Sequence, residues 1–343
     1  MPNSNVKIIV ESNIPFVRGL LDDYATITYL APEDITPKAV READGLIVRT
    51  RTRCDAALLE RTDVMFIATA TIGTDHIDSD YCRSRGITVV NAPGCNAPAV
   101  AQYVFGSLMQ VVNRPLSSYT IGVVGVGHVG SIVARWARGL GMRVLQCDPP
   151  RQQAEGGDDW TDMATIAREA DIITVHTPLT RDGEFPTYHM LGADYLATLR
   201  RAPIIINSAR GAIADTQALI EARKNGLTGP LIIDCWEGEP DINRELLELA
   251  AVATPHIAGY SREGKVRASQ IVLDAATTFF MLPRVTVTEP LPPATPRCVT
   301  IQGVTDSFDP MPLTAELKAD PANFERLRNT YELRHEAPEG SED

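Results

Sequence analysis

Short runs of apolar residues alternate with helix-length amphipathic stretches along most of this chain. The first runs are Lys7–Val10, Gly45–Val48, Val64–Ala68 and Ile87–Val90. Runs that are this short and continuously apolar are typical of parallel strands that helices bury on both faces. The pattern therefore predicts a first α/β unit built around a parallel sheet.

A second series of apolar runs follows a long helical stretch, which is predicted from about Ala97 to Asn113. The runs of this series, each separated from the next by a helix-length segment, are Thr120–Val124, Arg143–Cys147, Ile172–Val175, Ile204–Ile206, Leu231–Ile233 and Ala251–Ala253. Strands in this βαβ order predict a doubly wound sheet. A further helix, predicted from Ser261 to about Met281, comes after the strands end and is expected to return to the first unit.

These elements predict two Rossmann-like, doubly wound parallel-sheet domains of the α/β class. The first, a substrate domain, is discontinuous and covers 1–95 and 258–282, and the second, a dinucleotide-binding domain, covers 96–257. A proline-rich connector, Glu289–Pro296, lies in the remaining segment, 283–343, which is predicted to be a small α+β unit. A segment of this length is short for an independent core, so it is expected to dock on another surface, such as a second subunit.

Composition narrows the choice of partners. The net charge of −12 and the pI near 5.0 disfavour nucleic acid and anionic membranes, because both would repel the protein at long range. No apolar run approaches the roughly 20 residues that cross a bilayer, and the start of the chain has no secretory pattern, so a cytoplasmic protein is expected. The cysteines are widely scattered, and we expect no metal site.

The glycines of Val123-Val124-Gly125-Val126-Gly127-His128-Val129-Gly130 follow a predicted strand and open a predicted helix. This spacing lets a backbone approach the pyrophosphate of a dinucleotide. Asp148 ends the next strand, where an acid binds the adenosine ribose hydroxyls, and its charge favours NAD over NADP. Arg151 lies nearby and tempers that preference, although a solvated loop arginine is the simpler interpretation. Thr177, which ends a further strand, is also expected to line the cofactor site.

Three polar residues follow three successive strands of the second series. Arg210, Glu239 and His256 come shortly after the predicted strand ends, so all of them should project from the sheet edge that carries the glycine loop. A guanidinium matches the two oxygens of a carboxylate, and an imidazole is suited to proton exchange near neutral pH. We therefore predict that Arg210 anchors a 2-hydroxy acid, that His256 exchanges the hydroxyl proton, and that Glu239 orients His256.

The amino-acid sequence around these residues resembles that of the D-isomer-specific 2-hydroxyacid dehydrogenase family. The resemblance extends from about Lys7 to Met281. The segments that carry the resemblance are Ala68–Asp78, Asn91–Ala97, Gln146–Arg151, Trp236–Pro240 and Pro255–Lys265. The resemblance implies NAD-dependent oxidation of a phosphorylated acid, 4-phospho-D-erythronate, on the route to pyridoxal 5′-phosphate. It also implies a homodimer, although the C-terminal segment, which retains Phe324–Tyr331, is shorter than the dimerisation domain of family members.

Further residue roles rest on the same resemblance. It implies cofactor contacts in the glycine loop, including His128 and Val129, and at four later positions: Ser208, Ala209, Asp234 and Gly259. Arg210 would contact the cofactor as well. The resemblance implies substrate contacts at Thr50, Thr71 and Tyr260, where position 50 has threonine in place of the expected serine and keeps the hydroxyl.

A phosphorylated substrate also needs cations. Arg49, Arg51 and Arg53 alternate along the chain, so they would share one face if this segment were extended, and Arg49 and Arg51 could then bind the phosphate. A solvated loop face is an almost equally good interpretation.

Two other functions stay open at this point. Another phosphorylated acid, chiefly 3-phosphoglycerate, differs from the proposed substrate by one carbon and one hydroxyl, and sequence does not measure pocket depth. Some proteins of this fold are NAD-sensing transcriptional corepressors that keep the catalytic residues, so those three residues do not exclude a binding protein.

Overall fold

The computed structural model of this protein describes residues 6–340. Its strands are β1 Lys7–Glu11, β2 Thr26–Leu30, β3 Gly45–Val48, β4 Phe66–Thr69, β5 Thr88–Val90, β6 Thr120–Val124, β7 Arg143–Cys147, β8 Ile172–Val175, β9 Ile204–Asn207, β10 Leu231–Ile233 and β11 Ala250–Ala253. Its α-helices are α1 Ala56–Leu59, α2 Ser79–Ser84, α3 Ala97–Leu108, α4 His128–Gly139, α5 Pro149–Glu155, α6 Met163–Glu169, α7 Ala193–Leu196, α8 Thr216–Lys224, α9 Arg244–Leu249, α10 Arg262–Phe279, α11 Ile301–Ser307, α12 Met311–Ala319 and α13 Phe324–Asn329. Short 3-10 helices cover Pro32–Asp34, Leu116–Ser118, Gly211–Ile213 and Pro321–Asn323.

The first of two compact units comprises the residues up to Asn96 together with Arg262–Ala294. Its strands are all parallel and lie in the order β2-β1-β3-β4-β5. Successive side chains of a strand point to opposite faces, so Leu46 joins the apolar cluster on one face and Ile47 joins the cluster on the other. Burial on both faces explains why the sequence runs of this unit are continuously apolar.

The second unit comprises Ala97–Ser261 together with the residues from Thr295 on. Its strands are also parallel, in the order β11-β10-β9-β8-β6-β7. The winding reverses beside β6, because β7 lies on one side of β6 and β8 on the other. Ligands of doubly wound sheets bind beyond the carboxyl ends of the strands at such a reversal. The loops that begin at Gly125 and His176 flank that position.

The α/β class and the two parallel sheets agree with the sequence prediction, but three elements differ from it. The strand β2 is absent from the predicted series, because it is a half-buried edge strand whose threonines interrupt the apolar run. The helix α3 ends at Leu108, ahead of the Asn113-Arg114-Pro115 sequence, where a proline disfavours helix in the residue before it. The C-terminal segment is helical, and its β contact among the described residues is an isolated bridge between Ser261 and Arg334.

The division into units places residues 283–294 with the first unit and the segment from Thr295 with the second. Residues 1–5 of the predicted first domain and 341–343 of the acidic end lie outside the described residues. Within the described part of the chain, every helix is too short or too polar to cross a membrane.

Candidate active site

Arg210, Glu239 and His256 lie in the loops that follow β9, β10 and β11, which are neighbours in the second sheet. The first two loops approach each other closely. A Cβ atom placed on Gly211 would lie 2.0 Å from the main-chain carbon of Trp236, so only glycine allows this approach. The residue that follows the arginine thus lets the loop of Arg210 lie against the loop of Glu239.

Glu239 and His256 form a hydrogen-bonded pair. Nδ1 of His256 lies 2.8 Å from Oε2 of Glu239, and Oε1 of Glu239 accepts from the backbone N–H of Trp236 at 2.7 Å. Burial acts to raise the pKa of the Glu239 carboxyl, but the hydrogen bond and charge of His256 and the Trp236 bond outweigh it and hold this pKa below its ordinary value. The pair is therefore stabilising above the ordinary carboxyl range and is lost as the pH falls through the lowered value.

The charge on Glu239 decides which nitrogen of His256 carries the proton. An ionised carboxylate only accepts hydrogen bonds, so the bonded Nδ1 is protonated in the neutral ring. The other nitrogen, Nε2, has no hydrogen bond to any residue within 6–340. The His256 side chain is 29% exposed, so Nε2 can meet a ligand as a base.

Asp234, directly after β10, holds the backbone around His256. Its carboxylate is fully buried and accepts from Ile257 N at 2.8 Å, Ala258 N at 2.9 Å and Thr254 Oγ1 at 2.7 Å. Burial raises the pKa of Asp234 although these bonds oppose it. His256 has φ 56°, in the left-handed region that few side chains adopt, so these bonds stabilise an unfavourable backbone conformation.

We expect Asp234→Asn to lower the free energy of unfolding by about 2–4 kcal/mol. Both carboxylate oxygens of Asp234 accept hydrogen bonds, whereas the amide of asparagine has only one oxygen that can accept. Urea unfolding followed by circular dichroism measures this difference. Asp162→Asn is the matched control, since Asp162 caps α6 through one bond to Thr165 N and asparagine caps equally well. Equal stability of the two variants would contradict the role of Asp234.

Arg210 lies near the histidine pair. One guanidinium nitrogen donates to the carbonyl of Ala209 at 2.8 Å. The same carbonyl accepts from Sγ of Cys235 at 3.4 Å. Sγ of Cys235 in turn lies within 4.8 Å of the nearest ligand atoms of Glu239 and His256. The structure therefore brings the three predicted groups together within the second unit.

The three glycines of the loop after β6 have different roles. A Cβ atom on Gly125, at φ 82°, would lie 2.8 Å from Thr177 N, and one on Gly130 would lie 1.9 Å from Gly125 O. Gly127, just before α4 begins at His128, has no atom within 4 Å of such a position. Packing thus requires the first and third glycines, whereas the second leaves open space at a helix N-terminus, which fits a pyrophosphate.

Two buried hydroxyl groups at neighbouring strand ends also fit a ligand. Thr177 Oγ1, after β8, and Ser208 Oγ, after β9, have no hydrogen-bond partner in the part of the chain that the structure describes. A buried polar atom without a partner costs free energy that a bound ligand recovers. The backbone N–H of Ala209, by contrast, is already bonded to Oδ1 of Asn207 at 3.2 Å.

Asp148 directly follows β7 and ties this strand to the glycine loop. Its Oδ2 accepts from Val126 N at 2.8 Å and its Oδ1 from Arg151 N at 3.1 Å. Arg151 lies in the helix α5 and not in a loop, and its 39% exposed side chain forms two 2.8 Å bonds with Glu155. A cavity of about 630 Å³ opens beside these groups, and Trp160 is among its lining residues. Its lining includes Val126 and Arg151, whose backbone N–H groups bond Asp148, but not Asp148 itself.

Gly259 and Tyr260 end the His256 loop. Both are partly buried, and Tyr260 N donates to Ile257 O at 2.8 Å, which makes this end of the loop a tight turn.

In the first unit, the substrate residues predicted around Thr50 lie in a turn rather than a strand. Thr52 N donates to Arg49 O at 3.2 Å, so the segment is not extended, and the premise that Arg49, Arg51 and Arg53 share one face is wrong. Arg53 is paired with a neighbouring carboxylate at 2.6 Å. Any phosphate contact of Arg49 and Arg51 therefore has to come from the turn.

A buried carboxylate that the sequence analysis did not single out organises this turn. Oε2 of Glu11 accepts from Arg49 N and from Thr52 Oγ1, both at 2.9 Å. Glu11 is 1% exposed and ends β1, beside β3. The sequence did contain a signal for Glu11, since it is a polar residue directly after an apolar run. Side chains at the carboxyl ends of parallel strands lie close together, so such a residue is a candidate for the site.

Thr71 is likewise held by a network that the sequence did not reveal. Its Oγ1 donates to Gly73 O at 3.0 Å, so Thr69 Oγ1, 2.7 Å away, must donate to it. His76 Nε2, 3.1 Å from Thr69 Oγ1, is then the donor in that contact. Burial lowers the pKa of His76 to about 4, which keeps the ring neutral.

Known proteins resemble this chain over most of its length. A family model described as the NAD binding domain of D-isomer specific 2-hydroxyacid dehydrogenases matches residues 101–258. The erythronate-4-phosphate dehydrogenase of Bacteroides thetaiotaomicron is 44% identical over 96% of this chain and 97% of its own length. That of Porphyromonas gingivalis is 44% identical over 95% of this chain and 92% of its own. The D-lactate dehydrogenase of Aquifex aeolicus, solved with NAD and lactic acid, superimposes with a TM-score of 0.69 at 26% identity, covering 80% of this chain and 95% of that one.

Proposed function

Because the chain belongs to the D-isomer specific 2-hydroxyacid dehydrogenases, and within them to the erythronate-4-phosphate dehydrogenases, we propose that it oxidises 4-phospho-D-erythronate to 2-oxo-3-hydroxy-4-phosphobutanoate. The reaction would be a step in the formation of pyridoxal 5′-phosphate. The chain is an NAD-dependent oxidoreductase. NAD, when bound, accepts the hydride that leaves C2 of the substrate.

The three groups at the strand ends divide the remaining chemistry. Arg210 pairs with the substrate carboxylate, which fixes the position of C2. Nε2 of His256 takes the hydroxyl proton as the carbonyl forms, because the other ring nitrogen is protonated and bonded to Glu239. Glu239 then stabilises the imidazolium through that same bond.

The open space at Gly127 is where we place the pyrophosphate, and Asp148 is the candidate for the ribose hydroxyls. The unpaired hydroxyls of Thr177 and Ser208 would bind the cofactor beyond the pyrophosphate. Asp234 supports the same site through the loop that it orders. Ala209 and Gly259 are proposed to contact the cofactor as well.

We propose substrate contacts at Thr50, Thr71 and Tyr260, which the family resemblance implies, and phosphate contacts at Arg49 and Arg51, which their spacing in the sequence suggests. Thr50 and Thr71 offer hydroxyls, and Arg49 and Arg51 offer charge at the turn that Glu11 holds. Tyr260 offers a phenol in the His256 loop. The proposal for the residues of the turn is supported by its position at the carboxyl end of β3, because parallel sheets bind ligands at that end of their strands.

The observation that carries this proposal is the Glu239–His256 pair beside Arg210, in a chain that matches its relatives over nearly its whole length. The test is a panel of acids with NAD reduction as the readout: 4-phospho-D-erythronate, 3-phospho-D-glycerate, D-erythronate and D-lactate. We expect the highest kcat/KM for 4-phospho-D-erythronate and little activity with NADP. A preference for 3-phospho-D-glycerate would instead support the nearest rival enzyme.

A corepressor-like binding protein is the alternative of a different class. Steady turnover by the purified protein, without any partner, favours the enzyme. NAD binding with no turnover of any acid in the panel would favour the binding protein.

We also propose a homodimer, since the C-terminal segment resembles part of a dimerisation domain. Light scattering should give twice the 37.3 kDa mass of the chain. A mass of one chain at micromolar concentration would exclude a stable dimer.

A further inference from the structure

The C-terminal segment packs against the candidate active site. Phe324 and Leu327 of α13 are buried in the apolar cluster that includes Ala253 of the edge strand β11. The backbone N–H of Ala253 donates to Thr314 Oγ1 at 3.1 Å, so α12 also satisfies a donor of that strand. This segment therefore covers the strand that leads into His256.

Two arginines of the segment contact the His256 loop. Arg334 donates to the carbonyl oxygens of Ile257 at 3.2 Å and Tyr260 at 2.9 Å. Arg328 donates through Nε to the Tyr260 hydroxyl at 3.3 Å. The ring of Tyr331 meets the ring of Tyr260 edge-on, with centroids 6.2 Å apart. Residues of the C-terminal segment thus contact and stabilise the loop that carries the predicted base.

The side chain of Arg328 is only 18% exposed. Its ion pair with Glu325 is long, at 3.6 Å, and Glu325 is 40% exposed. The charge of Arg328 also interacts with Glu239, the carboxylate that bonds His256. A guanidinium with this degree of burial is costly unless nearby negative charge compensates it.

We propose that Arg328 is a positioning residue of this active site, which holds the Tyr260 hydroxyl of the His256 loop in place and so makes the C-terminal segment part of the site. The inference rests on the proposed function. In oxidation the Glu239–His256 pair receives a proton, and a nearby positive charge disfavours that extra proton in the resting pair. The other charged or titratable groups that act on the pair, on Cys235 beside it or on Arg328 are Asp234, Cys235, Arg210, Tyr260 and Glu325.

The test compares Arg328→Gln and Arg328→Lys over a range of pH. Loss of the charge lets the pair keep its proton to higher pH, so we expect the acid limb of kcat/KM in Arg328→Gln to move up by about one pH unit. We also expect kcat to fall about tenfold, with the KM for NAD unchanged. Arg328→Lys should restore the limb because it keeps the charge. Arg326→Gln is the control, since the side chain of this exposed neighbour on α13 bonds only Asn323 among the described residues.

An unmoved acid limb in Arg328→Gln would overturn the inference, as would an equal shift in Arg326→Gln or a failure of lysine to restore it. A purely structural role lowers activity and stability without moving the limb. The limb is measured on whichever acid of the panel gives the highest kcat/KM, so a wrong substrate assignment does not affect this test. If no acid turns over, the affinity of the NADH complex for oxalate is measured against pH instead. Tight oxalate binding should then extend to higher pH in Arg328→Gln alone.

Discussion

His256→Asn is expected to lower kcat by about 10²–10⁴-fold, the range typical of general acid–base catalysis, while the affinity for NAD changes little. The variant removes the base that accepts the hydroxyl proton. Asparagine is chosen because it tolerates the left-handed backbone at φ 56° better than alanine, so the loop should keep its shape. Stopped-flow measurement of NADH formation and fluorescence titration with NADH give the two quantities.

The chain offers a closely matched control for this variant. His189 is also left-handed, at φ 51°, and its Nε2 lies 2.7 Å from Glu237, in the same loop as Glu239. We expect His189→Asn to lower kcat less than tenfold, because this imidazole is bonded on both sides, with Asp215 at 3.2 Å from its Nδ1. Similar losses in the two variants would mean that loop disturbance, not loss of a base, explains the effect.

Arg210→Gln is expected to lower kcat/KM by roughly 10²–10³-fold, since removing one member of a desolvated charge pair with the substrate costs about 2–5 kcal/mol. Arg210→Lys should recover only part of this loss, because an ammonium keeps the charge but not the planar fork that matches a carboxylate. Initial rates at varied acid concentration separate the effect on KM from that on kcat.

Arg201→Gln is the control for the arginine. Arg201 precedes β9 where Arg210 follows it, and its side chain is 52% exposed beside Asp171. Its loss should leave kcat/KM within about twofold, as surface substitutions usually do. Normal activity of Arg210→Gln would show that another group anchors the carboxylate.

Much of the fold could be predicted because its signals are local. A parallel strand buried on both faces is continuously apolar, and a helix on the sheet repeats its apolar residues every three or four positions, so both series of elements are visible in the sequence. The edge strand β2 escapes this pattern because half of its surface is exposed. The helical C-terminal segment escapes it because its helices are short and pack on other elements.

The sequence by itself determined the α/β class, the glycine turn after β6, and the placement of Arg210, Glu239 and His256 at one sheet edge, since parallel strands present their carboxyl ends together. Tertiary structure alone decided that Asp234 holds the His256 loop, that the segment at Arg49 turns instead of extending, and that Arg328 contacts the Tyr260 hydroxyl of the His256 loop. The physical reason is that buried hydrogen bonds and charge pairs join residues far apart along the chain, and their partners are chosen by packing, which has no period in the sequence.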